Sequence, residues 1–79
     1  MVKVLFFGML SAKTGTKVAT VELEKDQTLL SEVISEIRSR YPELPEGPFI
    51  YAINEEQAAP DAPVKDGDEI AIMPPFAGG

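Results

Sequence analysis

The chain has 79 residues, of which 44% are hydrophobic, and this is enough for the core of one small domain. It contains no cysteine and no histidine, so disulfides, thiolate chemistry and the commonest acid–base and metal-binding side chain are excluded. Its net charge of −6 argues against nucleic acid or an anionic membrane as a partner.

These exclusions leave the chain poorly equipped to be an enzyme by itself, and no cofactor or metal is expected to bind to it. The N-terminal stretch Met1–Phe7 is too short and too alternating for a signal peptide, and no apolar run is long enough to span a membrane. Together with the absence of cysteine, this favours a cytoplasmic location.

The charge is distributed unevenly along the chain. Residues 1–40 hold six Lys or Arg and five Asp or Glu, a net of +1, whereas residues 41–79 hold one Lys and eight acids, a net of −7. The acidic half serves either solubility alone or the steering of the chain toward a basic partner surface.

The first half of the chain predicts two strands and a helix. Val2–Phe7 and Val18–Leu23 alternate as strands do, and they suggest an antiparallel hairpin joined by a connector over 8–16. In the first strand Leu5 and Phe7 share the outer face with Lys3. The helix is expected to begin with Asp26 or Thr28 as its N-cap and to end before Pro42. Its apolar stripe consists of Leu30, Val33, Ile34, Ile37 and Tyr41.

The second half predicts two further strands, Phe49–Ile53 and Glu69–Met73. Pro60 and Pro63 limit the segment 57–64 to an edge strand or irregular structure. An Asp-Gly turn over 65–68 precedes the last strand, in which Ile70 and Ile72 point inward.

One amphipathic helix covers only one face of a sheet, so this order predicts a two-layer α+β domain over residues 1–73 with the other sheet face solvated. If the first and last strands pair, four outward apolar side chains meet on that face. This apolar patch, a typical mark of a partner site, consists of Leu5, Phe7, Ala71 and Met73.

Residues 74–79 form a predicted extended tail, Pro74-Pro75-Phe76-Ala77-Gly78-Gly79. The two prolines stiffen its base, because each fixes φ and restricts the residue before it. The two glycines make its tip slender, since they carry no Cβ. We interpret the tail as a thread that presents the carboxylate of Gly79 to a partner's active site; the alternative is a frayed terminus.

The chain resembles the MoaD family of ubiquitin-like sulfur carriers, which are small subunits of molybdopterin synthase. The resemblance covers nearly the whole length and is carried by the segments 2–8, 51–54 and 66–79. The most specific segment is the last one, in which Asp66-Gly67-Asp68-Glu69 precedes a strand and a Pro-Pro pair stands before Gly-Gly. Leu10-Ser11-Ala12-Lys13 departs from the family pattern, which often places Arg-Glu after the matching Leu.

The resemblance implies a β-grasp fold and a role for Gly79 as the functional residue. In the family, an ATP-dependent adenylating enzyme of the MoeB type activates the terminal carboxylate, and a sulfur donor protein converts it to a thiocarboxylate. The tail then enters the large subunit, of the MoaE type, and donates sulfur to a pterin precursor within a heterotetramer. The predicted partner-binding residues are Leu5, Phe7, Ala71, Met73, Pro74, Pro75, Phe76, Ala77 and Gly78.

Two other classes of function remain open at this point. One keeps the tail chemistry but changes the recipient, as in a carrier for thiazole synthesis or tRNA thiolation, or a ubiquitin-like protein modifier. The other is a β-grasp interaction module whose Gly-Gly tail is inert.

Overall fold

A mixed five-stranded sheet covered by one long helix makes up the domain. The computed structural model describes residues 1–75. Its elements in chain order are β1 (Val2–Phe6), α1 (Met9–Thr14), β2 (Val18–Val21), β3 (Thr28–Leu29), α2 (Leu30–Arg40), β4 (Ile50–Ile53), β5 (Glu56–Ala58), β6 (Pro63–Val64) and β7 (Glu69–Met73). The sheet order is β2-β1-β7-β4-β5, while β3 and β6 form a separate two-stranded pair. Only β1 and β7 run parallel among the pairs of the large sheet.

The core lies between the inner face of the sheet and α2. β1 and β7 are central strands, and their alternate residues are buried as the sequence predicts. The stripe of α2 faces them, and all of its members are buried except Tyr41, which is half-buried and packs edge-on against Phe6. The fully buried residues of these elements are Val2, Val4, Leu30, Val33, Ile37, Ile70 and Ile72. The predicted two-layer α+β architecture is therefore confirmed.

The predicted start of α2 is wrong. The N-cap is Leu29, and Thr28 lies in β3 instead of capping the helix. A leucine side chain has no acceptor, so only half of a capping box forms, in which Glu32 Oε1 accepts the Leu29 N–H at 3.4 Å. Pairing of β3 with β6 overrides the local capping preference. The Lys25 ammonium hydrogen-bonds Glu32 and lowers the pKa of that carboxyl below its ordinary value.

The connector predicted over 8–16 is also wrong, since it contains α1. This helix buries a single residue, Leu10, and ends at Gly15 in the left-handed conformation. Six residues with one buried side chain leave no repeating apolar pattern for sequence reasoning to detect.

The remaining boundaries differ modestly from the prediction. β2 ends at Val21 instead of Leu23, and β4 begins at Ile50 instead of Phe49. The ambiguous segment 57–64 holds most of the edge strand β5 and all of β6. β7 ends at Met73. Because most of the tail lies outside the described residues, the division into a domain over 1–73 and a tail over 74–79 stays a prediction.

A polar clasp joins the β4–β5 turn to the start of β7. The buried carboxylate of Asp68 accepts the Asn54 side-chain N–H at 3.0 Å and the Lys65 backbone N–H at 2.9 Å. Asn54 Oδ1 in turn accepts the Glu69 N–H at 3.0 Å. The clasp satisfies a buried charge and fixes the end of β7 that is remote from the tail.

We expect Ile34→Ala to lower the free energy of unfolding by about 2–5 kcal/mol, because Ile34 is buried against the sheet. The matched control is Ser35→Ala, an exposed position on the same helix, which should change it by less than about 0.5 kcal/mol. Urea denaturation of both variants measures this. Equal effects would mean that the wrong face of α2 has been taken as the core.

Asp68→Ala should lower the free energy of unfolding by about 1–3 kcal/mol, since it leaves the donors of Asn54 and Lys65 without their acceptor. Asp61→Ala, at an exposed turn, serves as the control. Thermal melts read by circular dichroism compare the two. If both variants have the same melting temperature as the unmodified chain, the clasp contributes nothing to stability.

Candidate functional site

An apolar band runs across the outer face of the sheet, over the neighbouring strands β2, β1, β7 and β4. Strand register places Leu5 directly between Val18 of β2 and Ala71 of β7. Ala71 is in turn paired with Ala52 of β4, and Met73 with Ile50. Continuing the β1–β7 register places Phe7 beside Met73. We call these seven residues the apolar face: Leu5, Phe7, Val18, Ile50, Ala52, Ala71 and Met73.

The apolar face is accessible but not uniformly so. Phe7 and Val18 are 45% and 44% exposed, Leu5, Ile50, Ala71 and Met73 are half-buried, and Ala52 is buried. Met9, at the start of α1 and two residues after Phe7, is 55% exposed. Side chains of this size are usually withdrawn from water, and a contiguous group of them on a sheet face indicates a docking surface.

A polar row bounds the apolar face on the side away from the tail. Lys3 is paired with Thr20 on one side and with Glu69 on the other, and all three are exposed. An apolar centre with a polar rim is the usual composition of a protein–protein interface.

The structure brings together the four residues of the predicted patch and adds three that sequence reasoning missed. Val18 was missed because only the β1–β2 register shows that it adjoins Leu5. Ile50 and Ala52 were missed because strand order, which puts β4 next to β7, is not visible in the sequence.

The tail leaves β7 at one corner of this face. The Phe7 N–H donates to the Ile72 carbonyl at 3.1 Å, and this is the last bond of the β1–β7 ladder. Pro74 is half-buried and Pro75 is exposed. The predicted site residues Phe76, Ala77, Gly78 and Gly79 lie outside the described residues.

Five of the eight acids of the second half lie at the opposite end of the sheet. Asp66 and Asp68 lie just before β7 and Glu69 begins that strand, and the antiparallel register of β4 brings Glu55 and Glu56 to the same end. β7 is five residues long, so roughly 15 Å of strand separates these acids from Pro74. Asp66 pairs with the N-terminal ammonium and Asp68 forms the clasp, so both carboxylates have partners within the domain.

Within residues 1–75 there is no group of three or more acidic, histidine or cysteine side chains that is arranged to hold a metal ion. None of the helices in that part of the chain has the length and apolar character needed to cross a bilayer.

A protein-family model matches almost the entire chain. The model of the ThiS family covers residues 4–79, from the third residue of β1 to the last residue of the sequence. The chain belongs to the ThiS family.

Curated relatives within this family are similar over their full length. The "Molybdopterin synthase sulfur carrier subunit" of Chlamydomonas reinhardtii is 33% identical, over 99% of this chain and 98% of the relative. The protein of the same name from Escherichia coli is 31% identical over 100% of each chain. The resemblance to the MoaD family of ubiquitin-like sulfur carriers is thus confirmed.

Solved structures confirm the fold. SAMP1 from Haloferax volcanii matches with a TM-score of 0.86 at 22% identity, over 99% of this chain and 98% of that one. A putative molybdopterin converting factor, subunit 1, from Pyrococcus furiosus matches with a TM-score of 0.85 at 25% identity, over 95% and 97%. Subunits 1 and 2 of the molybdopterin-converting factor from Helicobacter pylori were solved as a complex, of which one chain matches with a TM-score of 0.68 at 28% identity, over 99% and 97%. The expected ubiquitin-like β-grasp fold is confirmed.

Proposed function

We propose that this ThiS-family chain is a sulfur carrier in molybdenum cofactor biosynthesis and acts as the non-catalytic small subunit of a molybdopterin synthase. The observation that carries the proposal is its full-length similarity to curated sulfur carrier subunits of that synthase. The exposed apolar face beside the base of the tail supports it, because a carrier must dock on a partner and deliver its tail at the same time.

Gly79 is the proposed sulfur-bearing residue. A carboxylate is a poor electrophile, because its leaving group is an oxide. Attack of the Gly79 carboxylate on the α-phosphorus of ATP expels pyrophosphate and forms a mixed anhydride with AMP. A sulfide equivalent from the donor protein then displaces AMP, which keeps one of the carboxylate oxygens. The resulting thiocarboxylate is a soft nucleophile that transfers its sulfur to the pterin precursor.

The tail sequence fits this delivery. Gly78 and Gly79 carry no Cβ, so they pass through a narrow channel that larger residues would block. Pro74 and Pro75 restrict the backbone of the unbound tail, which lowers the entropy lost on docking. Phe76 and Met73 are the proposed apolar anchors on either side of the prolines.

The apolar face is the proposed docking surface for the large subunit of the synthase. The Helicobacter pylori complex of subunits 1 and 2 supports a partner of this kind. The other proposed partners are an ATP-dependent adenylating enzyme and a sulfur donor protein, acting in the cytoplasm. ATP is the substrate of the adenylating enzyme, so this chain itself needs no bound cofactor, and two copies of each subunit form the proposed heterotetramer.

The decisive experiment is the intact mass of the chain after incubation with ATP, a sulfur source and the adenylating enzyme of its own host. We expect a mass gain equal to the difference between one sulfur and one oxygen atom, confined to the C-terminal peptide. The variant that lacks Gly79 should show no gain while its melting temperature is unchanged, because the core of the described residues runs from Val2 to Ile72.

Two other outcomes would contradict the proposal. No mass gain, with an adenylating enzyme shown to be active on another carrier, would point to an interaction module with an inert tail. A mass gain followed by sulfur transfer to thiazole or tRNA would show that the recipient is not the pterin precursor. A mass gain followed by covalent adducts on lysines of other proteins would point to a protein modifier.

Phe7→Asp should weaken binding of the large subunit at least about tenfold, because it places a charge in the middle of a desolvated apolar contact. The matched control is Leu29→Asp, since Leu29 is 42% exposed, nearly as much as Phe7 at 45%, but lies in β3 away from the apolar face. Isothermal titration calorimetry compares the two. Equal binding by both variants would exclude the apolar face as the docking surface.

A further inference from the structure

Gly8 lies against Pro74 at the point where the tail leaves β7. A Cβ built on Gly8 would be 3.4 Å from Pro74 Cγ and 3.7 Å from Pro74 Cδ, which are ordinary van der Waals distances, so the proline ring lies on the side of Gly8 where a side chain would stand. Pro74 is half-buried there, whereas Pro75 is exposed. We call this the Gly8–Pro74 contact.

Hydrogen bonds before and after Gly8 in the chain fix its position, so its backbone cannot shift with the Pro74 ring. Before it, the Phe7 N–H is bonded to the Ile72 carbonyl at 3.1 Å. After it, the Gly8 carbonyl accepts the Ser11 N–H at 3.3 Å and the Ser11 hydroxyl at 3.0 Å, and Leu10 is fully buried. The surface that meets Pro74 is therefore fixed by β1 on one side and by α1 on the other.

The backbone of Gly8 has φ 60° and ψ −137°, a conformation that a residue with a Cβ rarely adopts. Any replacement must relax this backbone or accept strain. Relaxing the backbone moves Gly8 relative to the proline ring, whereas keeping it places a Cβ against that ring at 3.4 Å.

Pro74 has no N–H and cannot extend the β1–β7 ladder. No hydrogen bond from its own backbone nitrogen orients it, and its ring lies beside Gly8. The chain from Pro74 to Gly79 spans at most about 17 Å, so a rotation of about 10° at Pro74 displaces its end by about 3 Å.

We propose that Gly8 is a positioning residue, which sets the direction in which the tail leaves the domain and so aligns Gly79 with the large subunit's active site. This inference rests on the proposed function.

Two double-mutant cycles test the contact, with the rate of thiocarboxylate loss in the complex with the large subunit as the readout. Gly8→Ala should slow this single-turnover rate about tenfold, because small misplacements of a reacting group are costly. Its Kd for the large subunit should change less than about threefold, since no member of the apolar face is altered.

The comparison of Pro74→Ala with Pro75→Ala separates contact from stiffness. Both changes remove a proline ring and free one φ, but only Pro74 touches Gly8. The variant with Gly8→Ala and Pro74→Ala should be no slower than the slower of its two single variants. The variant with Gly8→Ala and Pro75→Ala should show the product of the two single losses, as independent sites do.

Gly15→Ala controls for backbone strain. Gly15 has φ 79° at the other end of α1, and a Cβ built there meets nothing within 4 Å. This variant should lose stability but keep the transfer rate within about twofold of the unmodified chain, because strain without the contact leaves the tail in place. A direct readout is a nuclear Overhauser effect between the Gly8 α-protons and the Pro74 ring in the free chain.

The outcomes distinguish the two proposals. If the unmodified chain transfers no sulfur, the proposed function fails, and the positioning role fails with it. Three results with an active unmodified chain overturn only the positioning role of Gly8. They are double variants that show the product of the single rate losses in both cycles, a transfer rate of Gly15→Ala as slow as that of Gly8→Ala, and the absence of the Overhauser effect.

Discussion

The parallel pairing of β1 with β7 is the interaction on which the rest of the structure depends. It joins the two ends of the sequence at the centre of the sheet, with Val4 opposite Ile70 and Phe6 opposite Ile72. Their inner faces meet α2 and form the core, while their outer faces bring Leu5 beside Ala71. A parallel pair needs a long crossover, and here the crossover supplies the helix that covers the sheet.

The same pairing explains why a carrier of this size separates stability from function. The residues that hold the domain together lie on one sheet face, and those proposed to bind the partner lie on the other. The side-chain period of two in a strand makes this possible, because neighbouring residues serve opposite faces. Leu5, for example, is proposed to contact a partner, whereas its two neighbours in the sequence, Val4 and Phe6, are both in the core.

Charge is arranged along the sheet as well as across it. The clasp around Asp68 and the turn at Glu55 place acids at the end of β7 that is remote from Pro74. Part of the acidity of the second half therefore lies at the end of the sheet away from the tail, with the apolar face in between. A basic region on a partner that meets these acids would favour one docking direction.

Much of the architecture is written in local patterns. Alternation in Val2–Phe6 and Glu69–Met73, and the stripe of α2, determined the elements, the buried faces and the two-layer arrangement, since these depend only on side-chain periods. The tail composition and the Asp-Gly-Asp-Glu turn determined the family resemblance. Only the tertiary structure decided strand order and register, and with them the addition of Val18, Ile50 and Ala52 to the apolar face. It alone decided α1, whose one buried residue leaves no periodic signal. It also decided the N-cap at Leu29, where pairing of β3 with β6 overrides the local preference. The contact between Gly8 and Pro74 depends on it as well, because these residues are 66 positions apart in sequence and meet only where β1 and β7 lie side by side.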